Sequence, residues 1–264
     1  MHNKDYKCVI NGYTAESEDI MKILNRGLLK CYKPLYDGPR FLLTGINPSF
    51  QDGDRVWPGA IGECDISNSN DGYWEKKANQ FGDIWSQVLY LDLFPIRETH
   101  QKMGFESAFK NENVFRRDLL EVTQAEIESL HPRLIVQASK DAMYYWGIKK
   151  NTHLGEDAND YVNPWMGYKV KRVTPEVYPN ICECMLKDHR LELFPLYEIV
   201  GFVDSENRIN RQRFKKTTLE GSFLMEYVMD GRNKKYAGKL YKPNEWKDIW
   251  SWIKNHFTEV NNAL

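Results

Sequence analysis

Phe41-Leu42-Leu43-Thr44-Gly45-Ile46-Asn47-Pro48-Ser49-Phe50 is the stretch whose reading decides the fold. Its opening apolar residues predict a buried strand. Gly45 follows, where the backbone is free to turn sharply. Asn47-Pro48 continues that turn, because proline fixes its own φ and keeps the preceding residue out of the helical region. A stiffly held polar side chain, Asn47, is therefore expected at the carboxyl end of a strand, which is where open α/β sheets bind ligands. The same residues also suit a plain strand-to-loop turn with no chemistry.

Outward from this stretch the pattern is that of an α/β chain. Upstream, Ile20, Ile23, Leu24 and Leu28 recur at helical spacing, predicting a helix over 17–30 capped by Ser17. Residues 1–16 read as a partly ordered arm, and Pro34, Gly38 and Pro39 mark a loop. Downstream, residues 51–79 form a long polar connection, either functional or without fixed structure. Val88 to Pro95 reads as a second buried strand closed by proline. Residues 97–122 suggest one or two helices, and Thr123-Gln124-Ala125-Glu126 is a capping-box pattern opening another through Leu130. His131-Pro132 stops that helix, Arg133 to Ala138 is a third strand, and Ser139 caps a helix ended by Gly147. A strand over 196–203 and a final helix capped by Asn244 complete the order. Trp246, Ile249, Trp250, Ile253 and Phe257 lie along one face of that last helix, so its tryptophans are core.

Gly45-Ile46-Asn47-Pro48-Ser49 resembles the first motif of the uracil-DNA glycosylase superfamily, written GINPG or GMNPG in its mismatch-specific and single-strand-selective branches. The resemblance implies that Asn47 positions the water attacking the sugar C1′ and that Phe50 stacks on a flipped base. It further implies a three-layer α/β/α sandwich around a central, mainly parallel four-stranded sheet. Gly45, Ile46, Pro48, Ser49 and Phe50 then line the substrate site. Asp92-Leu93-Phe94-Pro95 is similar to the segment in which that family reads the base edge, with Asp92 in place of an Asn and Phe94 beside it. The replacement alters the chemistry. An ionised carboxylate only accepts hydrogen bonds, so Asp92 suits a base edge with two donors, unless burial raises its pKa and lets it donate. A strand-end Asp bonded to backbone or to Arg97 is the plainer alternative.

The second motif of the family matches poorly. Thr217 to Leu224 is the only stretch late enough to hold it, and the resemblance there implies a strand ending at Gly221. Ser222 would be its catalytic residue, with an exposed Phe223 or Leu224 as a duplex wedge. Glu220-Gly221 stands where His-Pro belongs, which removes the donor that stabilises a departing base. His131-Pro132 is no substitute, because it precedes a strand and not the reverse. Arg208, Arg211, Arg213, Lys215 and Lys216 place five cations in nine residues. Such a run either contacts phosphates or forms a solvated face.

Bulk properties set the outer limits. The 264 residues suit one domain over 1–264, with a core of about 17–257. A net charge of −1 means that nucleic acid is met by a local patch and not by global attraction. No apolar run approaches the ~20 residues of a membrane helix, and no signal peptide is evident, so a cytoplasmic monomer without membrane contact is expected. Five scattered cysteines fit reduced thiols. Cys182, Cys184 and His189 lack common zinc spacing, so neither a metal nor a cofactor is expected. No P-loop, GxGxxG, GxSxG or HExxH occurs. The resemblance therefore implies a DNA base-excision glycosylase-like protein that hydrolyses the N-glycosidic bond of a flipped, damaged or deaminated base. The alternatives are a non-catalytic nucleobase or single-stranded nucleic-acid binder, and a small-molecule enzyme on the same scaffold.

Overall fold

Leu42 and Leu43 point to opposite faces of the same strand, and each anchors its own core. That strand, β2 (Arg40–Gly45), lies second in a sheet whose order, in the computed structural model, is β4-β2-β5-β8-β7-β6. The structure describes residues 5–15, 17–33, 37–68, 71–139, 141–148, 165–178, 194–202, 216–226 and 240–262. β4 (Val88–Asp92), β2, β5 (Pro132–Gln137) and β8 (Phe223–Glu226) run parallel. β7 (Leu196–Phe202) is antiparallel to β8, and β6 (Tyr168–Arg172) is antiparallel to β7. The four parallel strands are thus extended to six by an antiparallel pair.

Helices cover both faces. On one face Leu42, Ile135 and Leu224 share a core with Leu119, Leu120 and Ile127 of α4 (Asn113–Leu130). On the other, Phe41, Leu43 and Val136 meet Trp74 and Phe81 of α3 (Gly72–Phe81) and the Trp246–Ile253 stripe of α5 (Pro243–Asn262). The tryptophans of α5 are core, as their spacing indicates. Proline sits at the first position of that helix, where its missing N–H costs nothing, one residue ahead of the expected Asn244 cap.

Several boundaries differ from the sequence reading, each for a physical reason. The N-terminal arm is a helix, α1 (Tyr6–Asn11); buried Tyr6 and Val9 dock it, and the Tyr6 hydroxyl lies 2.8 Å from Thr123 Oγ1. The helix capped by Ser17 is only α2 (Glu18–Leu24). Gly27 takes φ 79° against Trp57, and Leu28 opens a strand, β1 (Leu28–Tyr32). Residues 51–79 are not one long loop. They contain β3 (Ile61–Asp65), which pairs in parallel with β1, and the start of α3, capped by Asp71. Thr123 caps nothing: Phe115, Leu119 and Leu120 extend the apolar face upstream, so α4 runs through it. The Thr123 hydroxyl turns to Leu93 O at 2.7 Å. Among the described residues no helix is long and apolar enough to cross a membrane.

Candidate functional site

The loops after β2 and β5 leave the sheet in opposite directions, one toward β4 and the other toward β8, β7 and β6. In an open α/β sheet the carboxyl ends of two such strands frame a ligand crevice. Asn47 follows β2 at that point.

Residues 45–48 are stitched to the chain after β4. Gly45 O accepts from Leu93 N at 3.2 Å, Ile46 O from Phe94 N at 2.9 Å, and Pro48 O from Glu98 N at 2.9 Å. Asn47, only 7% exposed, closes the seam. Its Nδ2 donates to Glu98 O at 2.7 Å and to Ile96 O and Pro48 O, both at 3.1 Å. With the amide nitrogen committed, its Oδ1 is a buried acceptor that no donor satisfies. Gly45 is not the sharp turn expected, because it has no positive φ and ends β2 in extended conformation. Its value is space: a Cβ there would collide with Asp92 Oδ1 and the Tyr90 hydroxyl.

Phe50 sits a little farther out, 4.6 Å from the Arg26 guanidinium and 4.9 Å from that of Arg97. These cations are themselves held, Arg26 by Glu98 at 2.5 Å and Arg97 by Asp54 at 3.3 Å. Arg97 also lies 4.6 Å from the Trp57 ring. Residues 54–57 therefore pack against Arg97. Arg97 is not the partner of Asp92.

Asp92 belongs to a second cluster, on the sheet face covered by α3. It is 5% exposed, and Oδ1 accepts from the Tyr90 hydroxyl at 2.8 Å, while Oδ2 is buried with no donor. Burial pushes the carboxyl up to about 7, opposed by the Tyr90 hydrogen bond and the charge of Lys77. Lys77 is wholly buried among aromatic rings, its Nζ 4.2 Å from Tyr73 and 5.9 Å from Tyr90. Burial lowers its ammonium to about 7 against the pull of Asp92. Tyr73, whose ring that amine approaches, is 49% exposed. A carboxyl and an amine that both change charge near neutrality can exchange protons with a ligand at modest cost.

The sequence reading missed Lys77. The signal was available, because Asp71 caps a helix in which Trp74, Lys77 and Phe81 recur at i, i+3 and i+7. That spacing puts the lysine on the apolar face.

Other expected site residues lie elsewhere. Ile46 and Phe94 are core, Phe94 packing 4.8 Å from Phe105 and 4.9 Å from Tyr145. Pro48 joins the Asn47 seam and Ser49 is exposed. Ser222 is buried and donates to Pro132 O at 2.7 Å, at the amino end of the parallel strands and so opposite Asn47. The expected strand ending at Gly221 is a turn, with Gly221 at φ 80°, and the strand begins after it. Phe223 is corrected from an exposed wedge to a core residue, 0% exposed and 5.5 Å from Trp252. Lys216 is exposed, whereas Arg208, Arg211, Arg213, Lys215, Cys182, Cys184 and His189 lie outside the described residues. Among the described residues no group of three or more His, Cys, Asp or Glu could hold a metal. A cleft of about 500 Å³ lies between Tyr32, Tyr90 and Glu126, away from Asn47 and Phe50.

Comparison with known proteins matches the chain to no family model, no curated protein and no solved structure.

Proposed function

We propose that the protein is a glycosylase-like enzyme with the three-layer α/β/α arrangement of the uracil-DNA glycosylase superfamily. It receives a nucleobase of DNA at the carboxyl ends of β2 and β4 and hydrolyses its N-glycosidic bond. The observation that carries this is the Asn47 amide. Three backbone carbonyls take its nitrogen, so only Oδ1 is left to meet a reactant, as an acceptor. A water donating to that oxygen keeps a lone pair for C1′. The water oxygen bonds to C1′, the C1′–N bond breaks, and the base leaves as an anion that then takes up a proton.

Asp92 fits this scheme better as an acid than as a carboxylate. With its carboxyl raised to about 7, a protonated Oδ2 donates to a base carbonyl of the uracil type. Donation grows stronger as negative charge develops on the leaving base, so it favours the transition state. Binding without turnover is favoured by a separate observation, the placement of Ser222 at the far end of the sheet.

The test is base release from labelled oligonucleotides carrying uracil, hypoxanthine, xanthine or an alkylated base, single- and double-stranded. Release of one base that disappears in folded Asn47→Ala supports the enzyme. Salt-sensitive binding with no release from any substrate leaves a binder. Absence of both release and binding rules out the nucleic-acid function.

A further inference from the structure

β1 and β3 pair in parallel with Cys31 directly opposite Cys64, so the two side chains leave the same face of the ribbon. Paired strands lie about 4.8 Å apart. Disulfides accept Cα separations of about 4.4–6.8 Å. The backbone therefore already holds the two cysteines within bonding range. Their surroundings differ in a useful way: Cys31 is buried, whereas Cys64 is partly exposed.

We propose that Cys31 and Cys64 are an oxidation-sensitive dithiol that a hydroperoxide converts into a disulfide joining β1 to β3. Their roles follow from how each thiol bears on the other. The neighbouring Cys31 brings the Cys64 thiol down to about 7 against partial burial and the charges of Asp65 and Asp71. Cys64, with burial and the charge of Asp92, pushes Cys31 up, and Arg97 opposes it. Cys64 is thus the thiolate that a soluble oxidant reaches, and Cys31 is the protected partner.

The reaction balances without further reagents. The Cys64 thiolate attacks one oxygen of the hydroperoxide, the O–O bond breaks, and an alcohol, or water from hydrogen peroxide, leaves with a proton. Cys64 becomes a sulfenic acid. Cys31 sulfur then attacks Cys64 sulfur, the S–O bond breaks, and the departing hydroxide takes the Cys31 proton as water. Two thiols give up two electrons and the hydroperoxide is reduced.

The full-length reduced protein, treated with hydrogen peroxide and mapped by differential alkylation and peptide mass, decides the matter. The expected result is loss of alkylation at Cys31 and Cys64 together, with one cross-linked peptide pair lighter by two hydrogens and restored by dithiothreitol. In Cys31→Ser the reaction stops one step earlier, and dimedone labels Cys64. Persistence of both free thiols after oxidation overturns the proposal. So does a disulfide to another cysteine, or a dimedone adduct first appearing on Cys31 in the unmodified chain. The wild-type mapping stands even if the serine variant fails to fold.

Discussion

Asp92 and Glu128 are both carboxylates withdrawn from water, and their surroundings could hardly differ more. Glu128 Oε1 accepts from the Tyr168 hydroxyl at 2.8 Å and Thr217 Oγ1 at 2.7 Å. Its Oε2 accepts from Thr218 N at 2.6 Å and Thr218 Oγ1 at 2.5 Å. Four donors saturate the group and tie the turn before β8 to α4. Asp92 has one donor, a bare oxygen and a buried lysine in Coulombic range. A saturated carboxylate holds a fold together. A half-satisfied one costs stability, and groups so perturbed cluster at functional sites.

The largest effect is expected at the saturated site. Glu128→Ala leaves the buried Tyr168 and Thr217 hydroxyls without their acceptor and should cost about 3–5 kcal/mol in urea unfolding. A loss under about 1 kcal/mol would break the contrast.

Next comes the pH dependence of stability at the unsatisfied site. Asp92 has a folded pKa near 7, above its unfolded value near 4. The folded state therefore binds the proton more tightly, and stability falls as pH rises from about 4 through about 7. Asp92→Asn should remove that decline, amounting to a few kcal/mol. Lys77 shifts the other way, from an ordinary value near 10.5 down to about 7. Its contribution is present above the unfolded pKa and lost as pH falls through 7, so Lys77→Met should flatten the curve on the alkaline side. Denaturant midpoints at unit steps from pH 4 to 10 separate the two.

A smaller effect is expected at Asn47. Removing its amide leaves the carbonyls of Ile96 and Glu98 unpaired, a loss of about 1–2 kcal/mol. Thermal unfolding of Asn47→Ala measures it, and base release should vanish while the fold persists. The smallest is at Phe50. Phe50→Leu loses its contacts with two guanidiniums, about 1 kcal/mol at a partly exposed site, and should weaken oligonucleotide binding more than stability.

Strands β2, β4 and β5 were legible because each is a short apolar run bounded by proline, glycine or a polar turn. The α5 stripe was legible because four large residues repeat at helical spacing. The stretch 51–81 was opaque for the opposite reason. β3 (Ile-Gly-Glu-Cys-Asp) carries one apolar side chain of any size, and its pairing with β1 comes from tertiary contact. Lys77 was missed because a lysine on an apolar face reads as solvated until its neighbours are known. Ser222 and Phe223 were misplaced because a glycine can end a strand or precede one, and only the pairing of β8 with β5 distinguishes them. The sequence singled out Asn47, but the direction of its amide depends on a chain segment some fifty residues away.

The most direct test follows the Asp92 carboxyl by carbon NMR as pH is raised, with and without free uracil, using Asp92→Asn for assignment. A midpoint near 7 that uracil moves upward is the predicted result, because a base carbonyl accepts only from the protonated form. A midpoint in the ordinary carboxylate range, or one near 7 that no nucleobase displaces, would contradict the assignment of this site to a base.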